Sequence, residues 1–184
     1  MFLYFVVGHL VRTSFGRLIS QTQKVVLKGR YIGECTRLIF DLIEKMEKDD
    51  IPGLLVIQNF EKAFDTVEWS FLYKTLHFSG FGESFCSWIK AFYNDISSCI
   101  INNGHCPDYF KLDRGVCQYD LLSPYLFILV LELLAAALKN DKDITGVQIE
   151  NSEFLLNQYA DDSSLILDDN PQSLEKSLHV LSLV

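Results

Sequence analysis

Apolar residues recur on one face from Gly33 to Lys48, at Leu38, Leu42, Ile43 and Met46, and Glu44 stands four residues before Lys48. That spacing predicts a helix with a side-chain ion pair along it. Asp49-Asp50-Ile51-Pro52-Gly53 breaks it. Leu54-Leu55-Val56-Ile57 follows as a short continuous apolar run, which reads as a strand buried on both faces. Helices are expected over Trp69–Phe78 and Glu83–Tyr93, parted by Gly80-Phe81-Gly82. Ser98 to Ile101 reads as a strand ending in Asn102-Asn103-Gly104, a hairpin turn whose central positions tolerate positive φ. A long apolar helix should run from Ser123 to Lys139, with Ser123 as N-cap and Pro124 in its first turn. Strands are then expected over Ile144–Ile149, Glu153–Tyr159 and Ser163–Leu167, and a final helix from about Pro171. The order describes an α+β fold, a mostly antiparallel sheet with helices packed on one face.

Length, 184 residues, suits one domain with a real core, and 49% hydrophobic side chains exclude a disordered chain. No apolar run reaches the roughly 20 residues that cross a bilayer, and the opening MFLYFVVGHLV lacks the basic lead of a secretory signal. No membrane partner is therefore expected. Five scattered cysteines without a CxxC pair point to reduced thiols and an intracellular protein.

Charge is unevenly distributed. The net charge is −8, which by itself argues against a nucleic-acid partner. Yet Arg12, Arg17, Lys24, Lys28, Arg30 and Arg37 face only Glu34 in their stretch, a balance of +5, while the chain from Ile51 onward carries −10. A basic arm before an acidic body is compatible with a grip on a phosphate backbone at one end and carboxylate chemistry elsewhere; an ordinary solvated surface is the competing reading.

The segment richest in chemistry is Tyr159-Ala160-Asp161-Asp162, two adjacent acids between the apolar runs Phe154-Leu155-Leu156 and Leu165-Ile166-Leu167. A tight strand–turn–strand would hold both carboxylates at one tip, where a hard divalent cation would relieve their repulsion. Plain turn chemistry, which Asp favours, explains the pair equally simply.

A second segment joins the first. The strand at Leu54–Ile57 runs into Asn59-Phe60-Glu61-Lys62-Ala63-Phe64-Asp65. With Tyr159–Asp162, Arg114-Gly115-Val116, Leu122-Ser123-Pro124-Tyr125-Leu126-Phe127, Leu27-Lys28-Gly29-Arg30-Tyr31-Ile32 and Trp88-Ile89-Lys90…Tyr93-Asn94, this resembles the reverse transcriptase of non-LTR (LINE-type) retrotransposons over nearly the whole chain.

The resemblance implies an RNA-directed DNA polymerase: a fingers portion over about residues 1–50 and a palm over about 51–184, with the thumb absent. It implies an RNA template, a DNA primer and deoxynucleoside triphosphates as partners. Two Mg²⁺ (or Mn²⁺) ions ~3.5–4 Å apart would be held by three carboxylates. Asp161 and Asp162 would supply two of them, and Asn59 stands where the family has the first Asp. Phe64 would exclude a ribose 2′-hydroxyl, or serve as a core aromatic. Gln118 would lie near the incoming nucleotide. Lys28 and Arg30 would contact template or triphosphate, or form a solvated basic turn, and Arg12, Arg17 and Lys24 would contact nucleic acid.

Three departures from the family pattern stand out: Asn59, the altered 117–121 loop and the missing thumb. Asn59 offers one neutral carbonyl oxygen where Asp offers two charged ones. Cys117, Tyr119, Asp120 and Leu121 alter the loop after Arg114, removing a base, adding bulk and adding a negative charge. Asp65, six residues past Asn59, is expected to cap the helix near Glu68 rather than replace the missing acid. Silenced polymerisation is therefore expected, with a non-catalytic RNA- or protein-binding remnant as the alternative.

Overall fold

The computed structural model describes residues 15–182 other than Arg17, Val26, Lys28 and Tyr119. Arg12, Arg17, Lys28 and Tyr119, singled out above, thus lie outside the described residues.

The expected amphipathic helix is α1, Ile32–Asp49, ended by Asp50 at φ 54°, with the Ile51 N–H returning to the Met46 carbonyl at 2.9 Å. Its ion pairs are Arg37–Asp41 and Lys45–Asp49, both 2.8 Å, in place of the expected Glu44–Lys48. Strand β1, Leu54–Gln58, follows. A short helix α2, Ala63–Thr66, leads into α3, Trp69–Phe78, and α4, Glu83–Phe92. Asp65 sits inside α2, and Glu68 occupies the cap position of α3, so the expected capping role of Asp65 is corrected.

The next hairpin is shorter than the sequence suggests. Only β2, Ser97–Ser98, pairs with β3, Phe110–Lys111, and Ile100 and Ile101 beyond β2 are exposed. Its Asn-Gly turn is as expected: Asn103 and Gly104 have φ of 50° and 77°, and Asn102 pairs with His105.

Helix α5, Ser123–Asn140, is the core element, with Leu126 through Leu131, Leu134, Ala135 and Leu138 all buried. By length and composition alone it could cross a membrane, contrary to the sequence estimate, but 61% of it is buried inside the fold. An all-round apolar helix is what the centre of a packed domain requires. Its cap differs from expectation. Leu122 is the N-cap and Ser123 the first helical residue. The Ser123 hydroxyl donates to Asp120 Oδ2 at 3.1 Å, and the Leu122 N–H reaches Asp120 Oδ1 at 3.3 Å. The Asp120 carboxylate thus serves the positive end of the helix.

The remaining strands are β4, Val147–Ile149, β5, Ser152–Phe154, β6, Leu156–Tyr159, and β7, Asp162–Leu167, before helix α6, Pro171–Leu181. The single strand expected over Glu153–Tyr159 is divided at Leu155. There the chain leaves the β4–β5 ribbon and enters the main sheet, Leu155 accepting from the Ile166 N–H at 2.8 Å.

The main sheet is antiparallel in the order β1-β7-β6. Residues 22–24 extend it beside β6: the Gln158 N–H donates to the Thr22 carbonyl and the Lys24 N–H to the Gln158 carbonyl, both at 2.9 Å. Helices cover both faces of this sheet, not one. Leu165, Leu167 and Leu156 pack with α5 on one side, while Ile166 and Leu55 pack with Leu42 of α1 on the other. Strand β1 is an edge strand, and its expected burial on both faces is corrected: Ile57 is 72% exposed because it lies past the cover that α1 gives Leu55.

Candidate active site

Two neighbouring strands bring the site together. The β6–β7 hairpin pairs Tyr159 with Asp162, leaving Ala160 and Asp161 as a two-residue turn. On the other side, β1 pairs Gln58 with Ser163, so Asn59 emerges opposite Asp162. The Asn59 Nδ2 donates to Asp162 Oδ1 at 2.9 Å. Both side chains are exposed and Asp161 is half-buried. The hairpin apex and the end of β1 are therefore one site, as the sequence motifs required.

The turn itself is unusual. Ala160 has φ 52°, a region that costs an L-residue energy and that tight hairpins often fill with Gly. Its backbone is held by Gln23, only 1% exposed. The Gln23 Oε1 accepts the Ala160 N–H at 3.0 Å, and the Gln23 Nε2 donates to the Ala160 carbonyl at 3.3 Å. Sequence reasoning passed over Gln23, since a glutamine in a polar stretch has no local signature and its partner stands 137 positions away.

The other expected residues are distributed around this centre. Phe64, in α2, is half-buried and stacks on Phe127 of α5 with centroids 4.4 Å apart and planes 23° off parallel, so core packing is one established part of its role. Gln118 is exposed in the loop before α5 and lines a cavity of about 500 Å³ with Asp65, Trp69 and Arg114. That loop is anchored by Trp69 Nε1 donating to the Gly115 carbonyl at 2.8 Å. Partial desolvation, and then the Asp120 charge, push the Cys117 thiol up, so it is a neutral side chain where the family carries a base.

Of the three described basic residues of the arm, Lys24 and Arg30 turn inward, while Arg37 stays exposed and pairs with Asp41. Lys24 Nζ pairs with Glu34 at 2.8 Å. The Arg30 guanidinium donates to the carbonyls of Ile19 at 2.9 Å, Ser20 at 2.6 Å and Gln23. Arg30 therefore closes a turn; as it stands, its two terminal nitrogens face backbone oxygen rather than a ligand.

The donor set fits a two-cation site poorly. Among the described residues no three His, Cys, Asp or Glu side chains cluster closely enough to hold a metal. At the decisive corner, Asn59 points its NH₂ at Asp162, which is chemically forced, because a carboxylate oxygen can only accept there. An amide engaged this way turns its donor, not its carbonyl oxygen, toward Asp162.

Comparison with known proteins places this geometry. The description "Reverse transcriptase (RNA-dependent DNA polymerase)" belongs to the family that matches residues 12–182. Among curated proteins, the chain is 27% identical over 161 residues to the "Transposon TX1 uncharacterized 149 kDa protein" of Xenopus laevis, covering 86% of this chain and 12% of that one. It is 30% identical over 126 residues to the Pol polyprotein of type-2 retrotransposable element R2DM of Drosophila melanogaster, and 33% identical over 125 residues to that of type-1 element R2 of Popillia japonica. Each alignment covers 67% of this chain, and the chain spans 12% and 17% of those two polyproteins. Among solved structures, telomerase from Candida tropicalis superimposes over 98% of this chain and 35% of its own, at TM-score 0.57 and 13% identity. Telomerase from Candida albicans does so over 98% and 30%, at TM-score 0.58 and 9% identity. That likeness concerns the fold. The family match across nearly the whole chain and the retrotransposon relatives agree, and the chain belongs to the reverse transcriptase family, as a domain of the kind carried by non-LTR (LINE-type) retrotransposons.

Proposed function

We propose that this chain is an RNA-directed DNA polymerase domain whose catalytic centre is silenced while its scaffold is retained. Residues from about 51 form the palm, and the preceding 50 belong to the fingers. RNA template, DNA primer and deoxynucleoside triphosphates are the partners the family fold is built for, and Mg²⁺ or Mn²⁺ is its cofactor. In an active member the first carboxylate and the two turn acids would hold the ions.

The observation that carries this reading is the Asn59–Asp162 hydrogen bond of 2.9 Å. It satisfies one turn acid with an uncharged donor, where polymerisation needs a third negative ligand. Losing metal and transition-state stabilisation of several kcal/mol lowers the rate by roughly a thousandfold or more, since each 1.36 kcal/mol is about tenfold. The competing RNA-binding remnant is less well supported: of the described residues of the basic arm, Lys24 pairs with Glu34, Arg37 pairs with Asp41, and Arg30 is spent on backbone carbonyls.

Primer extension on an RNA template with Mg²⁺ or Mn²⁺ tests the proposal. The expected result is no extension by the native chain and measurable extension after Asn59→Asp. Robust synthesis by the native chain overturns it.

A further inference from the structure

Four observations converge on the segment that joins the sheet edge. Ala160, at the apex carrying the two acids, is a non-glycine residue at φ 52°. Left alone, such a turn would relax toward a lower-energy conformation. Gln23 grips both polar groups of that residue, its carbonyl taking the N–H and its NH₂ giving to the C=O. The Gln23 side chain is buried, so the two bonds are made out of water, where an amide without partners is costly. Behind it, Arg30 fastens the backbone of Ile19, Ser20 and Gln23 with its two terminal nitrogens.

We infer that Gln23, backed by Arg30, is the positioning residue of the acid turn, holding Ala160 in its left-handed conformation so that Asp161 and Asp162 stand at a fixed height beside position 59. The assignment gives Arg30 a role in placing acids rather than in touching a nucleotide. It also explains why an alanine suffices where glycine would be cheaper: the conformation is imposed from outside the turn. Gln23 acts through the turn and touches no substrate itself. The inference deepens the proposed function and rests on it only where polymerisation is the readout.

Hydrogen exchange and side-chain NMR on the full chain test it directly. Gln23→Ala should speed exchange of the Ala160 N–H by tenfold or more and shift the Asn59 side-chain amide protons, which report the bond to Asp162, while the Leu165 N–H in mid-strand keeps its protection. Gln23→Glu keeps the acceptor and loses the donor, so it should retain most of the Ala160 protection yet still shift the Asn59 signal. Adding Ala160→Gly to Gln23→Ala should restore much of the Asn59 signal, because glycine adopts φ 52° without the steric cost that alanine bears. A merely space-filling Gln23 would give no such rescue, and unchanged Ala160 exchange in Gln23→Ala would overturn the inference. If Gln23→Ala does not fold, the Gln23→Glu pattern decides alone, and an unmoved Asn59 signal there overturns it.

A second arm uses Asn59→Asp, the variant expected to restore polymerisation. Adding Gln23→Ala to it should lower kcat at least tenfold with KM for the nucleotide little changed. Absence of any extension or Mn²⁺ binding by Asn59→Asp itself refutes the proposed function and leaves the exchange result to judge Gln23.

Discussion

Replacing Asn59 by Asp inverts the electrostatics of one contact. In the native chain an amide N–H lies 2.9 Å from Asp162 Oδ1. Asn59→Asp puts a second carboxylate oxygen there instead. Two unit charges at that separation repel by about 1.4 kcal/mol even at the dielectric constant of water. Loss of the hydrogen bond removes about 0.5–1.5 kcal/mol more. Both side chains are exposed and can turn toward solvent, which relieves most of that repulsion, so the expected cost is about 0.5–1 kcal/mol in metal-free buffer. The assay is urea unfolding with chelator and with 10-millimolar-scale Mg²⁺ or Mn²⁺. With chelator the variant should unfold earlier than the native chain. With metal it should recover most of the loss, since a cation that binds only the folded state stabilises it by mass action. Equal stability of variant and native chain in chelator, or an equal response of both to metal, would refute the account of this site.

Other expectations follow from neighbouring contacts. Phe64→Ala should lower stability by about 2–3 kcal/mol in the same urea assay, somewhat under the ~3–5 of a fully buried Phe, because the ring is half-buried yet stacked on Phe127; a loss under about 0.5 kcal/mol would exclude a packing role. Gly115 has φ 92°, and a Cβ there would meet the Asp65 carbonyl at 3.2 Å, so Gly115→Ala should cost more than about 1 kcal/mol, read as a lowered Tm. Burial raises the Cys35 and Cys86 thiols above their ordinary value of 9.0. The unfolded chain therefore loses these protons first, and the stability they contribute is complete below about pH 9 and declines as pH climbs through the higher folded values. A denaturation series from pH 8 to 11 should show that decline, and it should flatten in Cys35→Ala/Cys86→Ala.

Local signals in the sequence were reliable where the chain decides its own conformation. The α1 stripe of Leu38, Leu42 and Met46, the Asn103-Gly104 turn and the apolar length of α5 all express short-range physics, and the structure follows them; Ile43, expected on the same stripe, is instead exposed. The meeting of Asn59 with Asp162 was legible only through the resemblance to reverse transcriptases; the register that joins them, Gln58 opposite Ser163, is seen in the structure alone. What the sequence hid was long-range. The burial of Leu54–Leu55–Val56–Ile57 depends on which strands and helices lie alongside, and an edge position leaves Ile57 in solvent. Asp120 read as a stray charge in the altered loop, whereas it accepts bonds at the start of α5. Arg30 read as part of a basic patch for the same reason: charge is visible in a sequence, and the carbonyls that absorb it are not.

The parallel seam between residues 22–24 and β6 has a consequence for how the molecule is made. Thr22 and Lys24 leave the ribosome well before the strand they join, which is centred on Gln158. At roughly 5–20 residues per second, that partner emerges some ~7 to 27 seconds later. Through that interval residues 22–24 lack their sheet partner, and the apex of the β6–β7 hairpin takes the shape seen here only once β6 has docked beside them. Assembly of the acid centre therefore waits for the β6–β7 hairpin, and a nascent chain halted before Gln158 lacks the strand that seats it.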